Sequence, residues 1–161
     1  MDWNNGWEMV GALTTVGLFV MAWYQIQAVR NENRVERTLA ACSRYESDAT
    51  VERCVRALRH ALATGGDYKE NPTKYQHEAI IILNFLDTIA IGIDQGVYED
   101  LLARDHMKAI VKKWIELLLE PTKAKDLEIP ADDYKCLHDL WSRWNRNEMY
   151  YGHGLTRRLK R

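Results

Sequence analysis

MVGALTTVGLFVMAWYQIQAV, residues 9–29, decides how the rest of this chain is read. No charged residue stands between Glu8 and Arg30. The apolar core, residues 9–24, falls a little short of the roughly 20 residues a membrane-spanning helix needs. Gln25 and Gln27 extend it at headgroup level. Trp23 and Tyr24 mark one interface, and Trp3 and Trp7 mark the other, as aromatic belts do. A bilayer offers no water to backbone N–H and C=O groups, so a spanning segment must satisfy them internally, as a helix does. Thr14 and Thr15 are tolerated in such a helix for the same reason. Gly11 with Thr15 is a weak small-xxx-small pair, and lipid-facing filler is the plainer reading. The competing reading of the whole stretch is a helix lying in the interface or buried against a partner.

The flanks give the span a direction. Asp2 and Glu8 precede it without any Lys or Arg, whereas Arg30, Arg34, Arg37 and Arg44 follow. Positive flanks stay in the cytoplasm, so the expected N-terminus is outside and everything from Arg30 onward inside. A cleaved signal peptide would need a basic first region and a small-residue cleavage site. Neither is present, so a retained anchor is expected.

Removing the anchor from 161 residues leaves enough for one domain. The expected division is 1–29 anchor, 30–146 cytoplasmic helical domain and 147–161 basic tail. Twenty-two basic residues against 23 acidic ones give a net charge of −1, which supplies no overall attraction to nucleic acid. Cys42, Cys54 and Cys136 are scattered and read as reduced thiols on the cytoplasmic side.

Beyond the anchor the apolar spacing is helical throughout. Val35, Leu39 and Cys42 continue the first helix to about Tyr45. Thr50 is a candidate N-cap for a second helix with the stripe Val51, Cys54, Val55, Leu58 and Leu62, stopped by Gly65-Gly66. Residues 73–93 form the third and most apolar helix of the domain, too short for a comfortable second span and better read as a buried bundle centre. The fourth helix covers 97–119. Its inner face is read as Leu101, Leu102, Ile110, Val111, Trp114, Ile115 and Leu118. A charged loop then leads to Pro130, read as the first position of a fifth helix that carries Tyr134, Leu137, Leu140, Trp141 and Trp144. The expected fold is all-α: a single N-terminal transmembrane helix extended into a small four- to five-helix bundle.

Four polar residues on the third helix draw attention. His77, Asn84 and Thr88 share one face, with Asp87 beside it. Burying an amide and a carboxylate is costly without hydrogen bonds. They form either a polar pocket for a ligand or a structural network tied to a Tyr, Trp or Arg of another helix. His60, His77, His106, His138 and His153 make no HxxxH or ExxH spacing, so no metal site is expected. Neither a Gly-x-Ser-x-Gly elbow nor a phosphate-binding glycine loop occurs. No cofactor and no catalytic residue is assigned. Trp141 and Trp144 read as core by default and as partner anchors by their enrichment at interfaces. Arg157 and Arg158 belong to a basic amphipathic end that suits anionic headgroups, an acidic partner or RNA, or simply solvent.

Residues 75–114 read YQHEAIIILNFLDTIAIGIDQGVYEDLLARDHMKAIVKKW. The order ILNFLD, IAIGI, a short glycine turn and an acidic helix start resembles a bacterial family known as domain of unknown function 4760. The resemblance implies an apolar N-terminal helix ahead of a helical domain and a place at the bacterial inner membrane. It implies no activity and no catalytic residues. Asn84 and Asp87 fall within it, and the region after Pro121 departs from it. Together these observations point to a non-catalytic, membrane-anchored accessory or scaffold subunit whose partners are the bilayer and an integral membrane protein complex. The second reading is a membrane-tethered sensor or regulator that binds a small ligand at the Asn84–Asp87 stripe.

Overall fold

The computed structural model describes the backbone of residues 3–64, 68 and 70–158, and the side chains of 14–63, 68 and 70–146. Among them every regular element is helical. Six α-helices follow one another: α1 (Trp3–Ser47), α2 (Ala49–Thr64), α3 (Gln76–Asp94), α4 (Asp100–Trp114), α5 (Pro121–Asp126) and α6 (Lys135–Arg158). Five of them fall where the apolar spacing predicts helices, and α5 is an extra short helix in what reads as a charged loop.

Local chemistry explains most boundaries, and corrects two. Asp48, not Thr50, caps α2: its Oδ1 accepts from the N–H groups of Thr50 at 2.8 Å and Val51 at 3.2 Å. A carboxylate there satisfies two otherwise orphaned donors and faces the positive end of the helix. Pro130 is not the first residue of the last helix. It precedes a 3-10 turn, Ala131–Tyr134, and α6 begins after that turn. Pro121 takes the first position of α5, where its missing N–H costs nothing. At the end of α3, Gly96 adopts φ +70°. Gly96 N–H donates to Ile93 O and Val97 N–H to Gly92 O, the paired bonds of a Schellman motif. Glu99 then caps α4, its Oε2 accepting from Leu102 N–H at 2.6 Å. Beyond Trp114, residues Ile115–Leu119 widen into a π turn.

The bundle is built around α3, which packs chiefly on α2 and α6 and also meets α1 and α4. Its Ala79, Ile82, Leu83 and Leu86 are fully buried. Leu58, Met107, Trp114, Leu118, Leu137 and Trp144 close around them. One helix among the described residues is long and apolar enough to cross a membrane, Pro72–Asp94. It contains α3, whose Ala79, Ile82, Leu83, Leu86, Ile89, Ala90 and Ile93 are buried in the bundle, while Ile91 is exposed.

Two expected faces lie elsewhere. Leu101 is 57% exposed, because the inner stripe of α4 runs through Ala103, Met107, Val111 and Trp114. Leu101 stands two residues before Ala103, roughly opposite on a helix that turns about 100° per residue. On α1 the buried line is Thr38, Cys42 and Tyr45, while Val35 and Leu39 remain more than two-fifths exposed.

Candidate functional site

The polar stripe of α3 lies on its seam with α6. Asn84 Oδ1 accepts from the hydroxyl of Tyr134 at 3.2 Å. Asp87 Oδ1 accepts from the backbone N–H of Leu137 at 3.0 Å. Leu137 is the third residue of α6, so Asp87 caps that helix from a neighbouring one, with its charge at the positive helix end. Burial pushes the Asp87 carboxyl above its ordinary value and the Leu137 bond partly offsets this. Tyr134 is pushed up as well, by burial first and then by the carboxylates of Asp133 and Asp87. Thr88 turns back along its own helix to donate to Asn84 O at 2.7 Å. His77 is exposed, and these bonds pass it by. Asn84 and Asp87 thus bond across to the segment that opens α6, whereas Thr88 bonds within α3, and Asn84 and Thr88 are exposed rather than buried.

The aromatic face of α6 divides. Trp144 is fully buried, and its Nε1 donates to Asp100 Oδ1 at 2.7 Å. It is core, because the ring lies between helices and its one donor is used internally. Trp141 is half-buried and packs against the edge of the core. The side chains of Arg157 and Arg158 lie outside the described residues, as do those of Trp3 and Trp7.

A cluster that sequence reasoning missed joins four helices, α1, α3, α4 and α6, at one end of the bundle. Arg34 of α1 donates through Nη2 to Tyr98 O at 3.0 Å. Thr38 Oγ1, the one buried polar side chain among the described residues, donates to Arg34 O at 2.6 Å and accepts from Glu99 N–H at 2.8 Å. The Tyr98 ring lies over Gly92, where even a Cβ would collide with it. Arg143 of α6 bridges Asp94 at 4.0 Å and Asp100 at 3.6 Å. The only early signal was Thr38 itself, a hydroxyl four residues before Cys42 and seven before Tyr45, on one helical face.

Above that junction α1 stands alone. Apart from half-exposed Gln27, each side chain from Thr14 to Val29 is exposed. Leu18 is 64% exposed, Phe19 73%, Met21 67%, Trp23 62% and Tyr24 72%. Isolated apolar exposure is normal on proteins, but a continuous apolar surface marks a contact with lipid or protein. The first part of the expected span, residues 9–13, lies outside the described side chains. Among the described residues no group of three or more His, Cys, Asp or Glu comes together to hold a metal ion.

A search of curated proteins and a search of solved structures each return no match. The family model described as "Domain of unknown function (DUF4760)" matches residues 12–119. The match opens inside the uncovered apolar helix, takes in the Arg34–Tyr98 junction and the Asn84–Asp87 stripe, and stops with the π turn. With two thirds of its length so matched, the chain belongs to the DUF4760 family.

Proposed function

We propose that the protein is a non-catalytic, membrane-anchored accessory or scaffold subunit of a larger membrane protein complex. The reading places it in the bacterial inner membrane with its N-terminus outside and its bundle in the cytoplasm. The observation that carries it is the apolar length of α1 whose side chains, among the described residues, are exposed. From Met9 to Val29 the helix rises about 30 Å, the thickness of a bilayer's hydrocarbon core. Arg30, Arg34, Arg37 and Arg44 then favour retention of the bundle on the cytoplasmic side. Because α1 continues unbroken into the core, the bundle is held close to the membrane surface and within reach of integral neighbours. Half-buried Trp141 supplies an aromatic contact residue there. The second reading, a ligand sensor, is less favoured, because one oxygen each of Asn84 and Asp87 bonds to α6.

Two experiments test this reading. An Asn4→Cys variant in intact cells is expected to react with a membrane-impermeant maleimide, and reaction only after lysis reverses the orientation. Mild-detergent purification of the full chain from its native membrane, followed by mass spectrometry, is expected to yield one membrane complex at fixed stoichiometry. Recovery of the chain alone contradicts the accessory-subunit reading.

A further inference from the structure

We propose that the carboxyl-terminal end of α6 is a second membrane contact, which binds anionic lipid headgroups of the leaflet where the anchor emerges. The inference rests on the anchor reading above and adds a partner for the tail. Its basis is the direction of the helices. Tyr134 meets Asn84, Leu137 meets Asp87, and Arg143 meets Asp94, so α6 runs parallel to α3. Trp144 meets Asp100, so this part of α6 lies at the start of α4. Arg34 meets Tyr98 and Tyr45 meets Trp114, so α1 runs parallel to α4. The end of the bundle from which α1 projects is therefore the end toward which α6 runs.

The lengths then decide what α6 reaches. Arg30, at the edge of the apolar stretch, is four residues before Arg34, about 6 Å along the helix. Beyond Trp144 α6 continues for fourteen residues to Arg158, about 21 Å. It is long enough to arrive at the headgroup layer. After Glu148 the sequence MYYGHGLTRRLKR contains no acid, and Arg157, Arg158, Lys160 and Arg161 alternate with Leu155 and Leu159. Basic residues near an anionic leaflet are attracted to it, and interspersed apolar residues anchor in its interface. The acids at this end of the bundle stand among bases, Glu32 and Glu36 beside Arg30, Arg34 and Arg37. Arg143 bridges Asp94 and Asp100, and Glu99 is engaged as the cap of α4.

The test uses the full chain in vesicles, with Cys136→Ser removing the exposed thiol. A spin label at Leu155→Cys is probed with oxygen, which partitions into lipid, and with a water-soluble nickel chelate. In phosphatidylcholine vesicles containing phosphatidylglycerol, collisions with oxygen are expected to dominate. In phosphatidylcholine alone, or with Arg157→Glu, Arg158→Glu and Lys160→Glu combined, the nickel chelate is expected to dominate. Nickel-dominated collisions in anionic vesicles overturn the inference. Exclusion of both reagents also overturns it, since the tail is then docked on protein, and so does equal immersion in neutral and anionic lipid. A parallel label at Phe19→Cys separates the two readings. Oxygen-dominated there and nickel-dominated at Leu155, the anchor stands and the tail contact falls. Nickel-dominated at Phe19, the anchor falls and the tail contact with it.

Discussion

The hydroxyl of Tyr45 accepts a 2.7 Å hydrogen bond from the indole Nε1 of Trp114, and both rings are buried. The bond joins α1 to the far end of α4 across 69 residues of sequence. Tyr45→Phe deletes only the acceptor and leaves a buried N–H orphaned, a change that costs about 1–3 kcal/mol. Thermal unfolding of the full chain in detergent is expected to shift down by several degrees. Adding Trp114→Phe removes the orphan, so the double variant is expected to lose less than the sum of the two single losses. Strict additivity would mean that the bond contributes nothing.

Gly92 is glycine because Tyr98 packs directly on its backbone. Gly92→Ala is expected to destabilise by about 1–3 kcal/mol, the usual cost of overpacking. Tyr98→Ala made in the same chain should relieve part of that loss. The check is a denaturant midpoint for both single variants and the double. A Gly92→Ala chain as stable as the wild type would refute the close contact.

Asp87 predicts a pH dependence of definite sign. Its folded carboxyl sits above the ordinary 3.8, chiefly through burial. The native chain thus holds this proton to higher pH than the unfolded chain does. Its contribution to stability is full below 3.8, declines as pH rises through the raised folded value, and is constant above it. Asp87→Asn keeps an acceptor oxygen for Leu137 N–H and is expected to flatten that slope. Asp87→Ala loses the cap and should cost about 1 kcal/mol. Denaturation midpoints measured across the mildly acidic range separate these outcomes.

The cysteines should react unequally. Cys136 is exposed, whereas Cys42 and Cys54 are buried. Burial pushes both buried thiols up, and the Glu78 carboxylate pushes Cys54 further. Since the thiolate is the reacting form, a maleimide at neutral pH is expected to modify Cys136 in the folded chain and the other two only after unfolding. Fast reaction at Cys42 would contradict its place in the α1–α4 seam.

Helix type and the central place of α3 were legible because long apolar periodicity survives any tertiary arrangement. The buried line of α1 was not. Val35 and Leu39 are more apolar than Thr38, yet Thr38 faces inward because its hydroxyl both donates to Arg34 O and accepts from Glu99 N–H. Hydropathy cannot anticipate a hydroxyl made welcome by a backbone donor 61 residues away. The same applies to the charged segment after Pro121, where a short helix is held by its contact with the π turn. For the polar stripe, the sequence supplied Asn84 and Asp87 but left pocket and network open. The choice depended on Tyr134 and the first turn of α6 arriving opposite them. Trp144 was placed by Asp100, a partner that spacing alone does not reveal.

The Arg34 and Thr38 bonds also set an angle. An α-helix turns about 100° for each residue, and these two side chains meet the backbone of Tyr98 and Glu99 at only one rotation of α1 about its own axis. One residue inserted between Arg30 and Arg34 would therefore leave the bundle intact and swing it by about 100° around the segment before it. An insertion of seven residues would bring it to within about 20° of its starting bearing. The compass heading of the bundle, seen down α1, is thus written in the count of residues between Val29 and Arg34.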